Sequence, residues 1–262
     1  MTFVHVRALR ARAARPRARR SWRALPLLAV LAGATACDGS SPSAPGAPPS
    51  PAASVVFVDP QELAAEQAAI TALLLQTAEQ AGGVLPLGFV RFTVSTERAR
   101  LIPGWGFGGY TVGPSDVDIV VDPAYPGLAQ ILPERLPPLA AHELHHAARW
   151  QGIGYPYSTL LEALATEGLA DHFGIDLTGS PIPPWCDAFP ENQTEEYVAR
   201  ARAELDSPTY DHAAWFFGRG AELPNWVGYT LGFRLVGDYL AGHPGSSAAG
   251  LVHTPADAFR PD

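Results

Sequence analysis

The chain has no lysine, and its single methionine is the first residue. It has two cysteines, Cys37 and Cys186, too few to staple a domain with a disulfide framework. It also lacks a hydrophobic run long enough to span a bilayer comfortably, since the apolar stretch 24–36 is 13 residues. Positive charge is therefore all arginine, and it is unevenly spread. Eight of the 18 Arg fall within residues 1–36, which hold no acid. The remainder sets ten Arg against 26 acidic residues, a formal charge near −16. So acidic a body, without a basic patch, excludes the electrostatic footprint of a nucleic-acid-binding protein. The absence of lysine, together with abundant Ala, Arg, Pro and Gly, is a coding bias without functional content.

A basic segment followed by a short apolar run is the pattern of an export signal, so residues 1–36 are set apart from the folded domain. Two processing readings compete. Ala34-Thr35-Ala36 fits an ordinary signal-peptidase site, whereas Ala34-Thr35-Ala36-Cys37 resembles a bacterial lipobox. The next stretch, 38–53 (DGSSPSAPGAPPSPAA), is a Ser/Pro/Ala/Gly tether that cannot form a core and suits a domain held off a membrane. The lipoprotein reading is favoured: lipid on Cys37, a tether over 37–53, and a domain over 54–262 anchored to the cell envelope outside the cytoplasm. Cys186 then has no intrachain partner and reads as a small packed thiol.

Strands are expected at 54–58, 89–95, 110–112 and 117–121, the last two joined by a Gly113-Pro114-Ser115 turn, and an amphipathic helix at 61–80. The segment 104–109 (GWGFGG) reads as a flexible loop and lacks the Lys and Ser/Thr of a phosphate loop. After this small mixed sheet the pattern turns helical. Helices are expected at 137–150, with Pro137-Pro138 in the first turn, and at 158–173 after a short Gly/Pro/Tyr loop, so that the two pack antiparallel. Further helices are expected at 194–205, 211–217, 226–240 and 246–251. Gly228 and Gly232 suit close packing. The fold class is α+β: a small mixed sheet, then a mainly helical half.

The helix 137–150 carries His142-Glu143-Leu144-His145-His146. Helical positions i and i+4 share a face, so His142 and His146 can present two imidazoles to one ion, with Glu143 turned about 100° aside. This H-E-x-x-H arrangement suits zinc, which lowers the pKa of bound water and polarises a carbonyl. His145 could itself bind metal; its direction fits a flanking or supporting position better. A metzincin site is excluded, because Arg149 stands where a glycine is needed and Gly152 where a third histidine is needed. The third ligand then comes from the partner helix. Glu167 shares a face with Asp171, while Glu162 points about 140° away. His142, His146 and Glu167 would leave one position of a tetrahedral zinc open, as catalysis requires. Asp171 would fix the tautomer of a ligand histidine. Glu143 would take the proton of the attacking water and pass it to the leaving amine. Tyr229 has two roles open to it, a packed core tyrosine or a donor to the oxyanion. His212 and His253 are weaker candidates for that donor. The strand 117–121 is a candidate to hold an extended peptide.

The HE-x-HH segment followed by Glu167-Gly168-Leu169-Ala170-Asp171-His172-Phe173 resembles a family of predicted zinc-dependent proteases known as domain of unknown function 2268. Its second motif is a variant of the gluzincin Glu-x-x-x-Asp signature. Gly228-Tyr229-Thr230-Leu231-Gly232-Phe233 is similar to the family's GY-x-x-G(Y/F) segment. The resemblance runs from the strands near residue 90 almost to the C-terminus. It implies a zincin-like fold, one zinc per chain held by His142, His146 and Glu167, Glu143 as base, Asp171 behind a ligand, and a peptide or protein substrate. Other classes stay open: a zinc hydrolase of non-peptide substrates, a surface lipoprotein with a structural or vestigial metal site acting as a binding module, and a metal-free scaffold.

Overall fold

The computed structural model describes residues 53–220 and 223–261. The leader, Cys37 and all but the last residue of the tether lie outside the described residues. Among those described, no helix is long and apolar enough to cross a membrane.

Four strands form one mixed sheet in the order β1-β2-β4-β3. They are β1 (Ala53–Phe57), β2 (Val90–Ser95), β3 (Phe107–Gly113) and β4 (Asp116–Val121). β1 runs parallel to β2 and β2 to β4, while β3 folds back antiparallel on β4. β2 alternates as its sequence suggests, with Val90, Phe92 and Val94 buried and the residues between them less so. β4 is central, and this corrects the expectation that 117–121 could receive a peptide. Among the described residues β1 and β3 form the two edges of the sheet, and β3 is the one that passes beside Glu143. It also begins three residues earlier than its pattern suggests, because Phe107 is fully buried and anchors it in the core.

α1 (Gln67–Gly82) starts after a run of turns and packs against β1 and α2 (Leu128–Ile153). α2 is much longer than expected. Pro133, Pro137 and Pro138 lie inside it, each lacking the N–H that would close a helical hydrogen bond. What carries the helix through them is the buried row Leu128, Leu132, Leu136 and Leu139. Burial of about 1.5–3 kcal/mol per leucine is of the same order as about 3 kcal/mol per interior proline. α3 (Leu160–Thr178) is capped by the Thr159 hydroxyl, which accepts from the Glu162 N–H at 3.2 Å. α2 and α3 are antiparallel, as expected: going up α2, Pro138, His142 and Arg149 meet Gly174, Asp171 and Thr166 in turn.

Three further helices follow: α4 (Thr194–Arg202), α5 (His212–Phe217) and α6 (Val227–Gly242). α6 lies directly on α3. A Cβ on Gly168 would come 2.1 Å from the Gly232 carbonyl oxygen, and one on Gly232 would come 2.3 Å from that of Leu164. Gly232 therefore serves helix contact as its spacing suggests, whereas Gly228 meets the Phe216 ring instead. No helix forms at 246–251. That stretch makes turns, followed by a 3₁₀ turn at Ala256–Phe259, and it is tied to the back of α2 by side chains. Arg149, fully buried, donates to the Val252 and Thr254 carbonyls at 2.8 and 2.9 Å and to the Thr166 hydroxyl at 3.0 Å.

Candidate metal centre

α2 and α3 bring three donor atoms together. His142 Nε2 lies 2.9 Å from His146 Nε2 and 3.2 Å from Glu167 Oε2, and the last two are 3.4 Å apart. All three residues are buried. A tetrahedral zinc with bonds of about 2.0–2.1 Å separates its ligands by about 3.3 Å, so the triangle is of the size such an ion needs. Glu167 Oε2 is buried and has no hydrogen-bond partner among the described residues, which is costly unless a cation takes it. Burial alone would raise the Glu167 carboxyl, but His146 and His142 hold it well below the ordinary carboxylate range. The donor set fits a metal ion.

The surroundings orient these ligands. Asp171 Oδ1 is 2.9 Å from His142 Nδ1 and also accepts from Trp185 Nε1 at 2.9 Å. With the proton on Nδ1, the Nε2 lone pair of His142 faces the other two donors. Burial opposes charge on His142, and Asp171 and Glu167 more than offset it, so the ring is held well above its ordinary pKa. The Tyr157 hydroxyl donates to Glu167 Oε1 at 2.9 Å, leaving Oε2 turned to the histidines. The carboxylate thus has one oxygen fixed by the protein and the other free for a ligand.

Glu143 sits beside this triangle, 4% exposed. Burial raises its carboxyl above the usual value, with His142 and His146 pulling it back, so it holds a proton more readily than an exposed glutamate. The Thr111 hydroxyl on β3 lies 2.9 Å from Glu143 Oε2 and 2.8 Å from its backbone carbonyl. β3 passes the glutamate closely at Gly109, where an added Cβ would fall 2.6 Å from Glu143 Oε1. Tyr229 is partly buried and lines the cleft on both sides of Glu143.

His145 turns away from the triangle. Its Nε2 lies 3.2 Å from the Ala248 carbonyl and its ring packs 5.4 Å from that of Phe173. Burial holds it neutral, well below its ordinary pKa. His253 is likewise behind α2, with Nε2 3.0 Å from the Ala148 carbonyl, so it has no part in the cleft. His212 does line the cleft, 3.1 Å from the Tyr210 hydroxyl. Cys186 is buried, and burial and the nearby Asp171 push its thiol far up, which makes it no nucleophile. Sequence reasoning missed Tyr157, Thr111, Gly109 and Trp185. The Tyr155-Pro156-Tyr157 stretch between the two helices that carry the donor atoms was a usable signal for Tyr157. Nothing local marked Thr111, which reaches Glu143 across 32 positions.

Two relatives in Bacillus subtilis (strain 168) are the uncharacterized proteins YjfC and YjaZ. YjfC is 25% identical over 169 residues, covering 59% of this chain and 54% of the relative. YjaZ is 29% identical over 127 residues, covering 46% and 48%. The chain thus spans about half the length of the curated relatives it matches. No solved structure matches it. The family model described as "Predicted Zn-dependent protease (DUF2268)" matches residues 93–260, a span that takes in the three donors, Glu143 and the α3–α6 contact, and the chain belongs to that family.

Proposed function

We propose that the protein is a zinc-dependent peptidase in which His142, His146 and Glu167 hold one zinc and Glu143 is the general base. The observation that carries the reading is the unpartnered Glu167 Oε2, facing two imidazole nitrogens with a buried carboxylate alongside. When bound, zinc supplies a lowered pKa for water and polarisation of the scissile carbonyl. Glu143 takes the proton of the attacking water on its carboxylate and delivers it to the leaving amine. Burial suits it to that exchange by moving its pKa toward neutrality. Thr111 holds the carboxylate in place through Oε2, and Asp171 holds the His142 ring. Tyr229, which lines the cleft beside Glu143, is assigned the donation of a phenolic proton to the oxygen that gains charge, a role supported by the burial that keeps that phenol protonated.

The substrate is an extended peptide. Among the described residues β3 pairs only with β4, and beyond Phe107, whose carbonyl accepts from the Ile102 N–H at 2.8 Å, its outer side faces the cleft. A peptide added there would be held by main-chain hydrogen bonds. The cleft is open on either side of Glu143, with cavities of about 590 and 460 Å³, which suits a chain passing through better than a small closed-in substrate. We place this domain at the cell envelope, anchored by lipid on Cys37, from the leader and tether pattern.

Glu143→Gln tests the assignment. It keeps the side chain's size but cannot accept the proton, so peptide cleavage should fall by about 10²–10⁴-fold while zinc content is unchanged. Tyr229→Phe should cost less. A Glu143→Gln protein that cleaves as fast as the zinc-loaded wild type refutes the mechanism.

A further inference from the structure

The cleft differs on its two sides. Both wings share Gly109, Tyr110, His142, Glu143, Phe217 and Tyr229. One wing continues over residues 99–103 toward Arg219 and Asn225. The other continues over Trp150, Tyr155, Tyr157, Pro208 and Tyr210.

Among the described residues, the acidic lining residue of the first wing is Glu143, and the cations are Arg100 and Arg219. Arg100 is already engaged. It pairs with Asp118 at 2.9 Å and lies over the Tyr110 ring at 4.3 Å. Arg219 is exposed, and among the described residues no carboxylate lies within ion-pair distance of it. Its guanidinium lies 5.7 Å from the centre of the Phe217 ring. Burial raises the Tyr110 phenol, while Arg100 and Arg219 both draw it back, so the Arg219 charge acts across the wing toward β3. Among the described residues, the second wing has no arginine in its lining. It carries Glu167 and a run of rings, with Trp150–Tyr155 centroids 5.2 Å apart and Tyr155–Tyr157 centroids 5.6 Å apart. The chain is strongly acidic overall, but screening limits that field to about 8 Å at physiological salt. A cation inside the cleft therefore decides locally what the distant charge cannot.

We infer that the cleft selects peptides with a carboxylate on one side of the scissile bond, held by Arg219, and an apolar or aromatic residue on the other side, held by the ring-lined wing. This rests on the peptidase reading. The carboxylate is an acidic side chain or a free C-terminus, which present the same group to a guanidinium.

The test uses the full chain and peptides that carry one aromatic residue and, on either side of it, Glu, Gln or Lys. Each is made with a free and with an amidated C-terminus. Cleavage is read with the zinc-loaded wild type. Binding is read separately, by fluorescence polarisation with the Glu143→Gln protein. Glu should be preferred over Gln by about three- to tenfold, on one side only, as expected for an accessible charged contact. The preference should shrink at high salt, vanish in Arg219→Gln, and turn toward Lys in Arg219→Glu. A preference for Glu that amidation leaves unchanged assigns the carboxylate to the side chain; a preference for free over amidated ends, with Glu and Gln treated alike, assigns it to the C-terminus. Equal handling by the wild type of Glu and Gln and also of free and amidated ends, in cleavage and in binding, overturns the inference, as does a preference that survives in Arg219→Gln. Cleavage without preference leaves the peptidase reading standing alone. Binding preference dependent on Arg219, with no peptide cleaved, leaves the carboxylate site standing and removes the peptidase reading.

Discussion

Gly109→Ala tests the proposed catalytic geometry without touching a catalytic group. The methyl carbon would fall 2.6 Å from Glu143 Oε1, 2.8 Å from its Cγ and 3.0 Å from its Cδ. Ordinary contact begins near 3.5 Å, so the carboxylate or the strand must move by about 0.8 Å. The obstacle is the end of a side chain, so the fold should survive, with a loss of about 1–3 kcal/mol for an overpacked site. The activity should not survive as well, because a misplacement of about 1 Å can cost about 10²-fold in rate. Two other glycines of β3 calibrate the result. At Gly113 the added carbon meets nothing closer than an Asp116 side-chain oxygen at 3.6 Å, so Gly113→Ala should cleave within about twofold of wild type. At Gly108 it would strike the Arg100 carbonyl oxygen at 2.2 Å, so Gly108→Ala should lower the melting temperature. The assay is kcat/KM on a cleaved peptide, with zinc content and thermal melting measured on the same samples. A folded, zinc-loaded Gly109→Ala protein with wild-type kcat/KM would show that Glu143 need not sit where it does, and would refute the argument.

Three more outcomes are expected. Glu167→Ala should lose most bound zinc by elemental analysis, whereas Glu162→Ala should keep it, because the Glu162 carboxylate is 2.7 Å from the Ser158 N–H at the start of α3; the reverse result would reassign the ligand. Arg149→Leu leaves the Val252 and Thr254 carbonyls and the Thr166 hydroxyl without their donor, so urea unfolding should show at least about 3 kcal/mol of lost stability; a midpoint unchanged from wild type would mean the C-terminal segment is not held by Arg149. The mature protein from a bacterial host should carry diacylglyceryl on Cys37 by mass measurement and sediment with membranes; an unmodified, freely soluble chain would instead support the ordinary signal-peptidase reading.

The donors were legible because they are local. His142 and His146 are four apart on one helix, and Glu167 lies on the next helix across a short loop, so periodicity and antiparallel packing together assign all three. The same geometry puts Asp171 behind a ligand histidine without saying which, and the structure pairs it with His142 at 2.9 Å. The helix boundary at Pro137 was misplaced because proline reports only its missing N–H, while the leucines that compensate act through burial against the rest of the fold. Of the stretch 104–109 read as a loop, residues 104–106 do make a turn, whereas 107–109 belong to β3. Glycine in a loop and glycine in a strand pressed against another element look alike in sequence, and only the neighbour tells them apart.

The sequence by itself determined the mixed sheet ahead of a helical half, and the two helices that bring His142, His146 and Glu167 together with Glu143 beside them. Each of these is set by short-range spacing, which covalent geometry converts directly into direction. Tertiary structure alone decided which strand has its edge at the cleft, which tyrosine holds Glu167, and why His145 and Arg149 stand where they do. It placed β4 in the sheet's interior and β3 at its edge. It set Tyr157 on Glu167 Oε1, and it turned His145 and Arg149 to the carbonyls of a C-terminal segment more than 100 positions away. Those contacts join residues whose separation along the chain carries no periodic signal. They exist because a buried polar group must find a partner, and the partner is whichever element the packing brings near.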